Sequence, residues 1–294
     1  MNTVHLKPTN RTGTTATMHH LVAYFSPAGS TRLVAETIHR RLTNRGQEAV
    51  LIDLSAKTRF TAGKNSMVQR PCCLWIGSPV YCDHAVPLVT DFIQGLPVAS
   101  PRNHAVPFVT WGGVTSGLSL LEMAGQLHRK NFIPLAAAKV LAVHSSMWRA
   151  PQPLAAGHPD TEDLTQITLL VDEVLRNLNR DEAVPLDMRV LDYLSPALRA
   201  EAVSKSLQAA KAAMGPPAVH EQRCQQCGEC AEQCPVAAIT LAPLPVIADE
   251  CVLCLQCVRA CPQDAFIFDN EAVAARIAAM ADNSDEEKRT QIFS

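Results

Sequence analysis

CQQCGECAEQCP at residues 224–235 and CVLCLQCVRACP at residues 251–262 are one pattern written twice, and eight of the eleven cysteines fall in it. In each copy three cysteines stand two residues apart, a fourth follows after three more, and a proline closes the run. A thiolate is a soft, negatively charged ligand suited to iron–sulfur clusters, and this spacing is the bacterial cluster-binding run. In two-cluster proteins of this kind the fourth cysteine crosses to the partner cluster. The expected ligand sets are therefore Cys224, Cys227, Cys230 and Cys261 for one [4Fe-4S] cluster, and Cys251, Cys254, Cys257 and Cys234 for the other. Zinc knuckles and disulfides are the plainer alternatives. Zinc sites usually join one close cysteine pair to a distant second pair, and disulfides give no reason for the repeated Cys-Pro ending. The spacing predicts electron transfer.

The chain has 294 residues, so this segment is only its tail, and the length suits about two domains. Apolar residues make up 47% and charged residues 18%, enough for the front part to bury a full core. No apolar run is long enough for a membrane span, and residues 1–18 lack a charged-then-apolar secretory pattern. That segment is polar, rich in threonine, and expected to be a disordered tail. Cluster ligands and reduced cysteines point to the cytoplasm.

The near-neutral net charge of −2 averages two opposite parts. Residues 1–215 carry 21 Lys and Arg against 16 Asp and Glu, while residues 216–294 carry 5 against 12. An acidic tail steers docking toward a basic redox partner, or toward the front domain of the same chain. The alternative is a tail that is merely soluble, with Asp285, Glu286 and Glu287 in a terminal helix or frayed end. No basic stretch with interleaved aromatics suggests nucleic acid.

In front of the cysteines, short apolar runs alternate with amphipathic stretches. The runs cover 21–25, 49–54, 73–77, 105–111 and 138–143. Between them, Val34, Ile38 and Leu42 share one helical face, and further helical patterns lie around 88–93, 118–127 and 164–178. Alternating strands and helices predict an α/β domain with a parallel sheet covered on both faces. Five strands suit the doubly wound order 2-1-3-4-5, whose ligand site lies at the carboxyl ends of the first and third strands. There the loop from Ser26 to Thr31 joins strand to helix. Its hydroxyls, Gly29 and the helix start form an anion site. The loop lacks the lysine of a nucleoside-triphosphate loop, and the chain lacks a Gly-x-Gly-x-x-Gly dinucleotide fingerprint. Ordinary helix capping is the plainer reading of such a loop.

The segment from Tyr24 to Thr31 (YFSPAGST) resembles the phosphate loop of flavodoxins. The likeness extends to GSPVY at 77–81 and TWGG at 110–113, which in flavodoxins flank the isoalloxazine ring of FMN. With the cysteine repeat, residues 20–269 resemble the EFR1-type fused flavodoxin–ferredoxin family. The resemblance implies that Ser26, Ala28, Gly29, Ser30 and Thr31 hold the FMN phosphate. Pro79, Val80 and Tyr81 would line one side of the ring, with Trp111, Gly112 and Gly113 near the other. Two positions depart from the common flavodoxin pattern, Ala28 in place of threonine and Ser30 in place of asparagine. The implied layout is a disordered tail at 1–18, a flavodoxin-like FMN domain at 19–180 and a helical linker at 181–215. A small α+β two-cluster ferredoxin domain follows at 216–269, and a C-terminal helix and tail at 270–294.

Other residues invite functional readings. Cys72 and Cys73 start a buried strand, where cysteine packs as a small hydrophobe. Cys82 follows the proposed ring loop, and His144 follows the fifth strand; both read more simply as loop residues. The run 113–117 has no serine at its centre, so it is not a nucleophile elbow. In the linker, 197–213 is rich in alanine, leucine and lysine and predicts one helix ended by Pro216 and Pro217. A second helix is expected at 270–280.

These readings predict an electron-transfer iron–sulfur flavoprotein working with a redox protein partner. No side-chain acid or base is required, because the cofactors carry the redox chemistry. The alternatives are an FMN-dependent reductase of a small quinone or nitro compound, or a redox sensor with a degenerate flavin site.

Overall fold

In the computed structural model, which describes residues 18–55, 70–99 and 103–294, the apolar runs become strands and the amphipathic stretches helices. The front domain comprises β1 (His19–Tyr24), α1 (Ser30–Asn44), β2 (Glu48–Asp53), β3 (Cys72–Tyr81), β4 (His84–Ala85), α2 (Pro87–Gln94), β5 (His104–Trp111), α3 (Ser119–Arg129), β6 (Ile133–Pro134), β7 (Ala137–Leu141) and α4 (Thr161–Leu178). The expectation of a disordered N-terminal tail falls almost wholly outside the described residues.

The five expected strands form the parallel path β2-β1-β3-β5-β7, which is the predicted order. Period-two alternation divides the core between the two faces. Leu21, Leu74, Ile76 and Val109 face α2 and α3 through Ile93, Leu120 and Met123. Val22, Trp75 and Phe108 face α1 and α4 through Val34, Ile38, Leu42, Ile167 and Val171. Cys72 and Cys73 are buried packing residues of this core, as their strand position predicted.

Beyond the five expected strands the sheet carries the two-residue β4 and β6 and one further strand at its edge. The C-terminal residues Gln291–Phe293 form a strand, numbered β10 below, that pairs antiparallel with β7 through Ile292 and Ala138. The Glu286 side chain lies buried, and its carboxylate meets Lys139 Nζ at 2.6 Å. Of the acidic run, Glu286 is therefore not a surface residue, while Asp285 and Glu287 beside it are exposed as expected.

The linker is two helices where one was expected, α5 (Pro196–Ser204) and α6 (Leu207–Met214). Lys205 is extended, and Ser206 starts the second helix by accepting the Ala209 N–H on its hydroxyl. A local cap thus competes with helix continuation. Leu186 donates its N–H to Pro134 O at 2.8 Å, and Leu191, Leu198 and Ala202 are buried. The connection packs on the core of the front domain through Leu186, Leu191 and Leu207, while α6 has no buried residue.

The cysteine lobe contains α7 (Glu229–Glu232), a hairpin of β8 (Ile239–Leu241) with β9 (Pro245–Ile247), α8 (Gln256–Ala260) and then α9 (Asn270–Asp282) before β10. Its two halves repeat in backbone as well as in sequence. Left-handed φ angles recur at Gln226 and Leu253, at Gly228 and Leu255, and at Ala237 and Asp264, each pair twenty-seven residues apart. Val258, Ile239 and Phe266 pack between the halves with the cysteines.

Candidate functional site

At the carboxyl ends of β1, β3, β5 and β7 the chain leaves a cleft of about 860 Å³, counting the part open to solvent. One end of the cleft is the start of α1. Gly29 stands at the N-cap with φ 98°. A Cβ at Gly29 would meet nothing within 4 Å, so glycine is needed there for the left-handed backbone and not for space. The N-cap glycine offers no capping side chain, and the first turn holds no acidic residue. Ser26 Oγ accepts the Arg32 N–H at 2.9 Å and folds the loop back over the helix start. The N–H groups of the first turn have no intrahelical partner, and with the helix dipole they favour an anion.

Ser26, Ala28, Ser30 and Thr31 all line the cleft. The Thr31 hydroxyl is turned to the sheet, where it shares a 2.7 Å hydrogen bond with Thr110. The flat part of the cleft lies between two loops. Pro79, Val80 and Tyr81 form one side, and Trp111 and Gly112 the other. Ser78 Oγ accepts the Val86 N–H at 3.0 Å and fixes the first loop. Gly112 abuts His144, whose Cδ2 would lie 2.6 Å from any added Cβ. The indole of Trp111 is buried, with Lys139 Nζ 5.1 Å from its ring centre. Gly29 and Gly113 shape the loops without lining the cleft. Among the expected residues, those from all three loops thus meet at one place.

Residues outside those loops line it too. Cys82 and His144, which the sequence favoured as ordinary loop residues, both reach the cleft. His144 is also bonded to backbone as expected, its Nδ1 accepting the Ser146 N–H at 3.3 Å. Burial, with Arg276 adding repulsion, lowers the His144 pKa to about 4, so the imidazole is neutral near pH 7. Burial also raises Tyr81, with Cys254 contributing. Leu207 and Met214 of the linker, and Val252 and Leu253 of the second cysteine run, complete the walls. No local motif marks these four, because the docking of the lobes brings them there.

The cysteines gather as two crossed sets. Cys224, Cys227, Cys230 and Cys261 line one crevice of the lobe. Cys234 lies instead with Cys251, Cys254 and Cys257, close enough that charge on it disfavours ionisation of all three. Burial first, then neighbouring thiolates, pushes Cys254 and Cys257 up to about 12. Such thiols ionise together only beside compensating positive charge, which iron supplies. Backbone N–H groups already point at three sulfurs, from Ala238 to Cys234 at 3.3 Å, from Leu253 to Cys251 at 3.4 Å and from Ala265 to Cys261 at 3.3 Å. Both the donor chemistry and the grouping fit iron–sulfur clusters.

A family model described as "4Fe-4S binding domain" matches residues 217–240 and 244–267. Comparison with curated proteins yields no match. Among solved structures, an archaeal flavodoxin aligns at 16% identity, over 55% of this chain and 100% of its own, with a TM-score of 0.43. Flavodoxin 1 from Bacillus cereus aligns at 13% identity, over 54% of this chain and 97% of its own, with a TM-score of 0.42. The rubredoxin oxygen:oxidoreductase of Desulfovibrio gigas aligns at 19%, over 55% of this chain but 37% of its own, with a TM-score of 0.41. The strand order itself defines the front domain as flavodoxin-like. Behind this flavodoxin-like fold the chain carries the segment that matches the 4Fe-4S binding domain. Among the described residues no helix is long and apolar enough to cross a membrane.

Proposed function

We propose that this chain transfers electrons between two [4Fe-4S] clusters, an FMN and a redox protein partner. The observation that carries the reading is the crossed grouping of the eight motif cysteines in a lobe packed against the cleft at the strand ends. On this reading Cys224, Cys227, Cys230 and Cys261 hold one cluster, and Cys251, Cys254, Cys257 and Cys234 the other. The start of α1, with Ser26, Ala28, Gly29, Ser30 and Thr31, holds the FMN phosphate. Pro79, Val80 and Tyr81 line one side of the ring, with Trp111 and Gly112 at the other and Gly113 shaping that second loop.

When bound, the clusters supply one-electron chemistry and the flavin supplies one- and two-electron chemistry. The protein positions, shields and tunes. Neutral His144 adds no positive charge to the cleft, and among its lining residues Trp111 is buried and Tyr81 has a buried hydroxyl. The partner carries a basic face, because exposed Glu221, Glu232, Asp249 and Glu250 make the cluster lobe acidic. The protein works in a reducing compartment such as the cytoplasm, where thiols remain available as cluster ligands.

Anaerobically purified protein tests this directly. It should contain about eight iron, eight acid-labile sulfide and one heat-released FMN per chain. Stoichiometric zinc without labile sulfide would overturn the cluster assignment, and failure to bind added FMN would overturn the flavin assignment.

A further inference from the structure

The two crossed cysteine sets sit in unlike surroundings. Around the first, the crevice walls are Val219, Leu241, Pro245 and Phe266, all from the cluster lobe itself, and Cys227 is exposed. The second set faces inward. Val252, 5% exposed, belongs to the apolar core of the flavodoxin-like domain, and Cys254 packs on the same core. Val252 and Leu253 line the cleft opposite the strand-end loops. Polar contacts fix this docking on the same side. The Arg259 guanidinium, two residues after Cys257, donates to Ser145 O and lies 4.6 Å from the Trp148 ring centre. Trp148 also stacks on Phe268 at 5.1 Å, and Arg149 pairs with Asp264 at 2.8 Å.

Resting on the flavin reading above, we propose that Val252 and Leu253 of the second cysteine run form a wall of the flavin site. The second set is then the inner redox centre, adjoining the flavin, and the first set is the outer centre that meets the partner. The polarity has a physical basis. The segment between Cys251 and Cys254 is one peptide run, so the residues that touch the cleft are bonded neighbours of cluster ligands. In the first run the equivalent residues, Gln225 and Gln226, are exposed. Sequence separates the two runs in the same sense, Val-Leu in one and Gln-Gln in the other.

The test uses the full chain and reads flavin binding, not turnover. Leu253→Asn removes the apolar side chain while suiting the left-handed backbone at φ 54°. It should raise the FMN dissociation constant roughly fivefold, about one buried methylene or slightly more, with iron content unchanged. Gln226→Asn, at the equivalent position with the same φ of 54°, should leave the constant within about twofold of wild type. Wild-type protein gives a reading free of any substitution: adding FMN should slow amide exchange across 251–255 and leave 224–228 unchanged. Equal FMN affinity in both variants with iron retained, or no protection at 251–255 when FMN is bound, would overturn the wall. Absence of any FMN binding to wild type would instead remove the flavin reading on which the proposal stands.

Discussion

Glu286→Ala should destabilise the flavodoxin-like domain although Glu286 lies in the last nine residues of the chain. Its side chain is 5% exposed and that of Lys139 is 3% exposed. The carboxylate binds Lys139 Nζ at 2.6 Å, accepts the Ser116 N–H at 2.7 Å and accepts the Ser116 hydroxyl. Lys139 Nζ also faces the rings of Tyr193 at 4.4 Å and Trp111 at 5.1 Å, which offer no anion in its place. Truncation therefore leaves an ammonium and a backbone N–H without their anion. Breaking a buried pair in this way costs about 3–5 kcal/mol. At about 2–4 °C per kcal/mol for a large domain, the melting temperature should fall by roughly 10 °C. Anaerobic differential scanning calorimetry measures it. Replacing both partners, Glu286→Leu with Lys139→Met, should recover most of the loss because no charge is left buried. A fall of less than about 2 °C in the single variant, or a double variant no better than the single, would refute the reasoning.

Two further outcomes follow from the geometry. Cys261→Ala should destroy the cluster held by Cys224, Cys227 and Cys230 while sparing the other, and Cys234→Ala should do the reverse. Electron paramagnetic resonance can assign the loss, and loss confined to the substituted run would refute the crossed sets. The junction at His84 should be pH-sensitive. Its Nδ1 faces Glu122 and its Nε2 faces the carbonyls of Ala202 and Lys205, each at 3.0 Å, so the doubly protonated ring satisfies every partner. The Glu122 hydrogen bond raises its pKa above 6.5 against the opposing effect of burial. This contribution is therefore fully present below about pH 6.5 and is lost as pH rises through the raised value. Amide exchange near 202–205, corrected for intrinsic rate, should quicken between pH 6 and pH 8, and His84→Gln should abolish that dependence.

The parallel path was legible because its signals are local. Apolar runs and four-residue spacing such as Val34, Ile38 and Leu42 each fix their own element before any packing occurs. The 4Fe-4S binding segments were legible because ligand chemistry demands fixed cysteine spacing. The missed features depend on long-range docking. Three residues, Gln291 to Phe293, are too few to register as a strand until β7 offers an edge. Glu286 reads as one more acid in an acidic run, and only the fold brings Lys139 to it. The linker break turns on a single competing cap at Ser206 within an otherwise helical composition. Similarly, Leu207, Met214, Val252 and Leu253 are ordinary apolar residues until the lobes meet around the cleft. For His144 the signal was present, a polar residue just past a strand end, but the simpler loop reading was equally consistent with it.

The measurement that bears most directly on the account is an anaerobic reductive titration of the full chain, followed by visible absorbance. Two clusters at one electron each and one flavin at two predict uptake of about four electrons per chain, with cluster and flavin bands bleaching in the same protein. Uptake of about two electrons, with only the cluster or only the flavin bands responding, would contradict the union of both redox systems in one chain.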